Sequence, residues 1–189
     1  MRSLLLACCL LASLSASAGT PAQPQAYPAE VRYVEESANF PLSVAGYKRG
    51  RFVMYAPNMA DYSIGYNLND ASLLTAATLY FYSGAADLSA QFESEKRQIF
   101  NAHPDAALLS EGSTTFDKDG KSFPARVATF RFDGEMAQKQ QTLFSEIILV
   151  QLPIKYFKVR STAPFALAKR AQPKVRELLG AVNWLSGRL

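Results

Sequence analysis

Apolar positions along this chain switch between two periods, and the switches mark its elements. In YSIGYNL, Tyr62, Ile64, Tyr66 and Leu68 alternate with Ser63, Gly65 and Asn67. A period of two predicts a strand with one packed face. In the following TLYFY, Leu79 and Phe81 point one way and Tyr80 and Tyr82 the other. Both sides are apolar, which predicts an inner strand covered on both faces. Upstream, FPLSVAGYKRGRFVMYAP, from Phe40 to Pro57, sets β-favouring residues around turn signals at Gly46 and Gly50.

The period then lengthens. Leu88, Phe92, Ile99 and His103 fall in one stripe at 100° per residue, with Glu95 and Lys96 flanking it. Asp87 is placed to cap this helix, and Pro104 ends it by disfavouring helical backbone at the preceding residue. Strand periods return in LLSEGSTTF and PARVATFRF, which flank the turn DKDGKS. TLFSEIILV is apolar on both sides and is expected at the sheet centre. QLPIK turns the chain into YFKVRS, and Pro153 argues against a continuous strand through that point. The last stripe, Leu167, Ala171, Val175, Leu178, Val182 and Leu185, predicts a terminal helix. Pro173 is expected to kink that helix or to start a second segment.

These elements predict one α+β domain, an antiparallel β-sheet of about six strands sandwiched by a central helix and a C-terminal helix. The closing run YFKVRSTAPFALAKRAQPKVRELLGAVNW and the step TLYFYSG…DL…F resemble the PsbP/DcrB-like superfamily over about residues 40–185. There, a strand of this form is followed by proline and a helix ending near a tryptophan. The resemblance implies the same helix-covered antiparallel sheet. Members are mostly extrinsic accessory or interaction proteins, so fold is implied more directly than function. No binding or catalytic residue carries over by motif.

The N-terminus changes the picture of where the domain works. Arg2 precedes an apolar run from Leu4 to Leu14, and Ala16-Ser17-Ala18 has the small-x-small form of a signal peptidase site. The run is about 11 residues, against the ~20 that span a bilayer. We therefore read residues 1–18 as a signal peptide, 19–30 (GTPAQPQAYPAE) as a Pro-rich flexible leader, and 31–189 as a single domain. The expected location is periplasmic or secreted, with no transmembrane segment after signal removal. Leu5-Leu6-Ala7-Cys8 also has the form of a lipoprotein box, and Cys8 would then carry a lipid anchor. The chain's two cysteines, Cys8 and Cys9, both fall in the signal. The mature domain would rely on its core rather than on disulfides.

Charge and composition exclude more chemistry than they suggest. A formal charge of +4, less the one carried by Arg2, leaves +3 for the mature chain, which lacks the dense basic field of a nucleic-acid binder. Thiol catalysis has no mature cysteine. A Ser-His-acid triad would need His103, the single histidine, and no serine sits in a nucleophile elbow. One histidine and no thiol do not compose a transition-metal site. Asp117-Lys118-Asp119-Gly120 opens like a calcium loop but lacks its later ligands, and a hairpin turn explains the same residues. No phosphate-binding glycine motif occurs. No catalytic residue, metal ligand or cofactor is therefore expected.

The remaining candidates are aromatic and basic. Tyr62, Tyr66, Tyr80 and Tyr82 could line one groove if their strands pair, with Lys158 and Arg160 at its rim; packing under the helices is the alternative use of the same rings. Lys155, Lys158 and Arg160 alternate incompletely along one strand, as solvated strand edges also do. The expected function is an exported, non-enzymatic accessory or binding module presenting a sheet face or groove to a protein or envelope component. Two alternatives remain open. A carboxylate-dependent hydrolase of an envelope polymer would draw on Glu95, Glu146, Asp61 or Asp70, and a structural ion pair is the competing use of Glu95 and Glu146. A small-molecule carrier would enclose a cavity lined by the tyrosines.

Overall fold

The computed structural model describes residues 39–56, 61–84 and 86–185. The expected signal peptide and leader, and the alternative lipid anchor at Cys8, lie outside the described residues. The domain is built on one antiparallel sheet of eight strands, in the order β1-β2-β3-β4-β8-β7-β6-β5. The strands are β1 (Ser43–Val44), β2 (Tyr47–Met54), β3 (Tyr62–Asn69), β4 (Leu74–Tyr82), β5 (Ala107–Lys118), β6 (Lys121–Met136), β7 (Lys139–Gln151) and β8 (Tyr156–Pro164). Helix α1 (Leu88–Ala102) joins β4 to β5, and α2 (Ala168–Ala181) follows β8 after a single 3₁₀ turn, Phe165–Leu167.

The expectation of about six strands is corrected to eight. Ala45-Gly46 closes a two-residue strand onto β2, and Ala137-Gln138 closes the long β6–β7 hairpin. Gly50 is no turn: it lies within β2, where the pairing with β3 shifts register between Arg49 and Phe52. The bulge absorbs the glycine without ending the strand. The sheet centre is also displaced from TLFSEIILV. β4 and β8 occupy the middle, because β8 returns between β7 and β4 and joins two four-stranded meanders. Pro153 sits in the turn before β8, where no ladder donor is required of it.

The two helices cover opposite faces. β7 makes this plain. Leu143, Ile147 and Leu149 join Phe92 and Ile99 of α1, while Ile148 and Val150 join Val175 and Leu178 of α2. We call these the front and back faces. Helix α1 starts where Asp87 Oδ1 accepts from Ala90 N at 2.8 Å and closes with His103 N donating to Ile99 O at 2.8 Å. It packs on β6 and β7. Helix α2 packs on β8 and β4 and stays continuous through Pro173. Helix α1 lies mainly over β6 and β7 and reaches β4 at its edge, where Tyr82 donates to Glu95, so an open groove is left between the helix and the β3–β4 part of the front face. Among the described residues no helix is long and apolar enough to cross a membrane.

Candidate functional site

Cross-strand register decides which aromatic residues share a face. Tyr62 pairs with Phe81 and Ser63 with Tyr80. Directly opposed residues point to the same side of a sheet. Tyr62 and Tyr66 therefore join Leu79 and Phe81 on the back, and Tyr80 and Tyr82 lie on the front. The four phenols do not meet, although their strands do pair. Tyr62 is stacked between Phe52, at 5.5 Å, and Phe81, at 4.7 Å. Tyr66 is fully buried, its hydroxyl donates to Pro41 O at 3.1 Å, and burial pushes its pKa up to about 12. Both are core residues.

Tyr80 and Tyr82 line an open groove between α1 and the β3–β4–β8 part of the sheet, which Tyr62 and Phe81 also border. Its volume is about 280 Å³. Tyr55 and Asp61 form its outer end, and Gln91, Glu95 and Gln98 of α1 form the helical wall. β8 supplies Lys158, which pairs with Tyr80 across the ladder. A second, tighter cavity of about 90 Å³ adjoins it, bounded by Tyr80, Glu95, Gln98, Lys158, Arg160, Ile99 and Ile147. A concavity of about 460 Å³ lies near the β6–β7 hairpin tip and the start of α2. Its one carboxylate, Asp70, already accepts from Ser72 and Leu73 backbone N–H groups.

The groove wall is held by one buried carboxylate. Glu95 is only 3% exposed. Its Oε1 accepts from the Tyr82 hydroxyl at 2.6 Å and from Gln91 Nε2 at 3.0 Å, and its Oε2 accepts from Lys158 Nζ at 2.6 Å. A buried carboxylate persists when paired and hydrogen-bonded in this way. Lys158 also lies over the Tyr80 ring at 4.3 Å and the Tyr82 ring at 5.4 Å. Burial, and the carboxylate accepting its hydroxyl, push the Tyr82 pKa well up. Tyr82 and Lys158 thus complete the wall, and Tyr80 and Tyr55 offer ring surface to the groove. Tyr55 is 60% exposed and its hydroxyl contacts Ser63 Oγ at 3.1 Å.

Arg160 ends the site. It lies opposite Ile147 on β7, and its Nη2 approaches His103 Nε2 at 3.3 Å. The His103 ring stacks on Phe132 at 3.7 Å, and burial followed by the Arg160 charge holds its pKa below the ordinary imidazole value. Burial also lowers the Arg160 pKa, though a guanidinium stays charged in a protein.

No family model matches the chain, and no curated protein matches it. A solved structure of a Pseudomonas aeruginosa protein of unknown function aligns with TM-score 0.48 at 11% identity, covering 74% of this chain and 99% of that chain.

Of the other candidate carboxylates, Asp61 lines the outer end of the same groove as Glu95, whereas Asp70 and Glu146 lie elsewhere. Glu146 lies on the back face, where Arg176 grips it at 2.8 and 2.9 Å. The sheet separates it from Glu95. Asp61 accepts from Ser83 N at 3.1 Å. Among the described residues no group of three or more His, Cys, Asp or Glu is placed to hold a metal ion. Gln91, Gln98 and Tyr55 belong to the site and were not among its sequence candidates. Gln91, Glu95 and Gln98 carry a readable signal, being a polar flank at helical spacing beside the Phe92–Ile99 stripe. Tyr55 carries none, because its place depends on how β2 bends.

Proposed function

We propose that this chain is an exported, non-enzymatic binding module that presents the α1–β4 groove to a protein or envelope component. One observation supports this reading above the others. Tyr55 and Tyr80 face an open groove between α1 and the sheet, while the adjoining ionisable groups Glu95 and Lys158 are committed to each other. Tyrosine rings that combine an apolar body with a polar tip are favoured at such contacts. The shared element order with PsbP/DcrB-like accessory proteins is compatible with this role.

A photocrosslinking residue in place of Tyr55, in the chain's own cellular compartment, tests the proposal. The same residue in place of Ser113, on the far edge strand β5, is the control. We expect a discrete adduct at the first site only, reduced about tenfold or more by Tyr80→Ala, as for a central interface aromatic. Equal adducts at both sites, or an adduct indifferent to Tyr80→Ala in a variant with unchanged melting, would reject the reading.

A further inference from the structure

We infer that the tight end of the groove is a carboxylate-binding subsite anchored by Arg160. This rests on the groove being the binding surface proposed above, and it adds the chemistry that surface takes. The charge inventory leads to it. Lys158 is neutralised by Glu95 at 2.6 Å. Arg160 has no such partner: among the described residues its hydrogen bond is to His103 Nε2, a ring nitrogen. One unmatched positive charge therefore stands, half-buried, at the end of a groove.

Geometry narrows the ligand. His103, fixed at the α1 terminus and stacked on Phe132, occupies one guanidinium nitrogen and leaves other donors of the fork unspent. The 90 Å³ cavity beside it has an apolar floor of Ile99 and Ile147. Gln98, on its helical side, makes no hydrogen bond among the described residues and can add a donor. A planar guanidinium matches a planar carboxylate through two parallel hydrogen bonds. A phosphate dianion is disfavoured, because the buried Glu95 carboxylate lines the same cavity and only one positive charge is unmatched. The adjoining 280 Å³ groove, with Tyr80 and Tyr55, then accommodates an apolar or aromatic body behind the carboxylate head.

Amide NMR titration of the full mature chain with 3-phenylpropanoate tests this, with 3-phenylpropanamide as the uncharged match and inorganic phosphate as the other anion. We expect the acid, and neither control, to shift the amides of Gln98, His103 and Arg160. Arg160→Lys should weaken binding about tenfold or more, since it keeps charge and loses the fork. Gln98→Ala, on the helix surface, should weaken it a few-fold with the fold intact. A tripeptide ending in phenylalanine, with free or amidated C-terminus, identifies the source. Binding by the free form alone, with none by 3-phenylpropanoate, assigns the carboxylate to a chain end; binding by both assigns it to acids in general. Equal shifts by acid and amide, a phosphate response as large as the acid's, or unchanged affinity in folded Arg160→Lys and Gln98→Ala would overturn the inference. If only this fails, crosslinking at Tyr55 persists; if the binding surface itself is wrong, that crosslink fails too.

Discussion

His103 gives the residue scale its clearest consequence. It is the single histidine of the chain, and its imidazole is held below its ordinary pKa by burial first and by the Arg160 charge second, with Asp105 opposing. A depressed folded-state pKa means that the unfolded chain binds the proton more readily. The stability His103 contributes is therefore complete above the unfolded value, about 6.5, and is lost as pH falls from there through the folded value. Asp70 and Glu111 push in the same direction, held low by donors from Ser72 and Lys96, but carboxylates of ordinary pKa near 4 act in a more acid window. Between about pH 7 and pH 5 the change belongs chiefly to His103. We expect the urea midpoint to fall across that range, and His103→Gln to flatten most of the fall while lowering the midpoint at neutral pH through lost stacking on Phe132. Parallel pH profiles for the two proteins would refute the assignment.

At the scale of elements, three two-residue hairpins show what local sequence does and does not encode. Ala45-Gly46, Asp119-Gly120 and Ala137-Gln138 all have positive φ at both positions. That backbone matches the twist of the flanking strands, and it favours Asn, Asp and Gly. The Asp-Gly turn was readable for this reason. Ala137-Gln138 was not, because neither side chain favours left-handed backbone, and each is expected to cost about 1–2 kcal/mol there. The long β6–β7 ladder imposes the turn. Replacing the pair by Asn-Gly should therefore raise unfolding stability by about 1–2 kcal/mol, read from urea denaturation with an unchanged m-value. No gain would mean that the ladder, not the turn residues, relieves the cost. The same limit explains the site. Alternation within β4 was legible and placed Tyr80 and Tyr82 on one face. Which face Tyr62 shares depends on its pairing with Phe81, and neither strand contains that register by itself. The two helices between and after runs of strands were legible because each is a property of one segment, but the strand count was not, and Glu95 and Lys96, read as flanking the α1 stripe, are buried within it. The strand order was not legible either, because β8, which follows β7 directly, pairs on its other side with β4, distant in the chain.

At the scale of the molecule, two hydrophobic clusters share one sheet. The back cluster ends at Trp184, which stacks on Phe157 at 5.0 Å and meets Phe123 edge-on at 5.6 Å. The front cluster centres on Phe92, which lies beneath the Arg126 guanidinium at 4.9 Å. β7 and β8 send alternate side chains into the two clusters, so neither can loosen without disturbing the strands of the other. Side chains this size in well-packed positions cost about 3–5 kcal/mol on truncation to alanine. Trp184 is the chain's only tryptophan, so its emission reports the back face alone, whereas far-ultraviolet circular dichroism reports the whole sheet. Phe92→Ala removes volume only from the front. If the strands couple the faces, its urea transition should move to lower denaturant by the same amount in both signals and stay single. If the signals separate, with dichroism lost first and Trp184 emission surviving, the faces fold independently and the shared-strand account of stability is wrong. Coincident transitions would also mean that a ligand on the front groove stabilises the back, since binding to the native state raises the only unfolding equilibrium available.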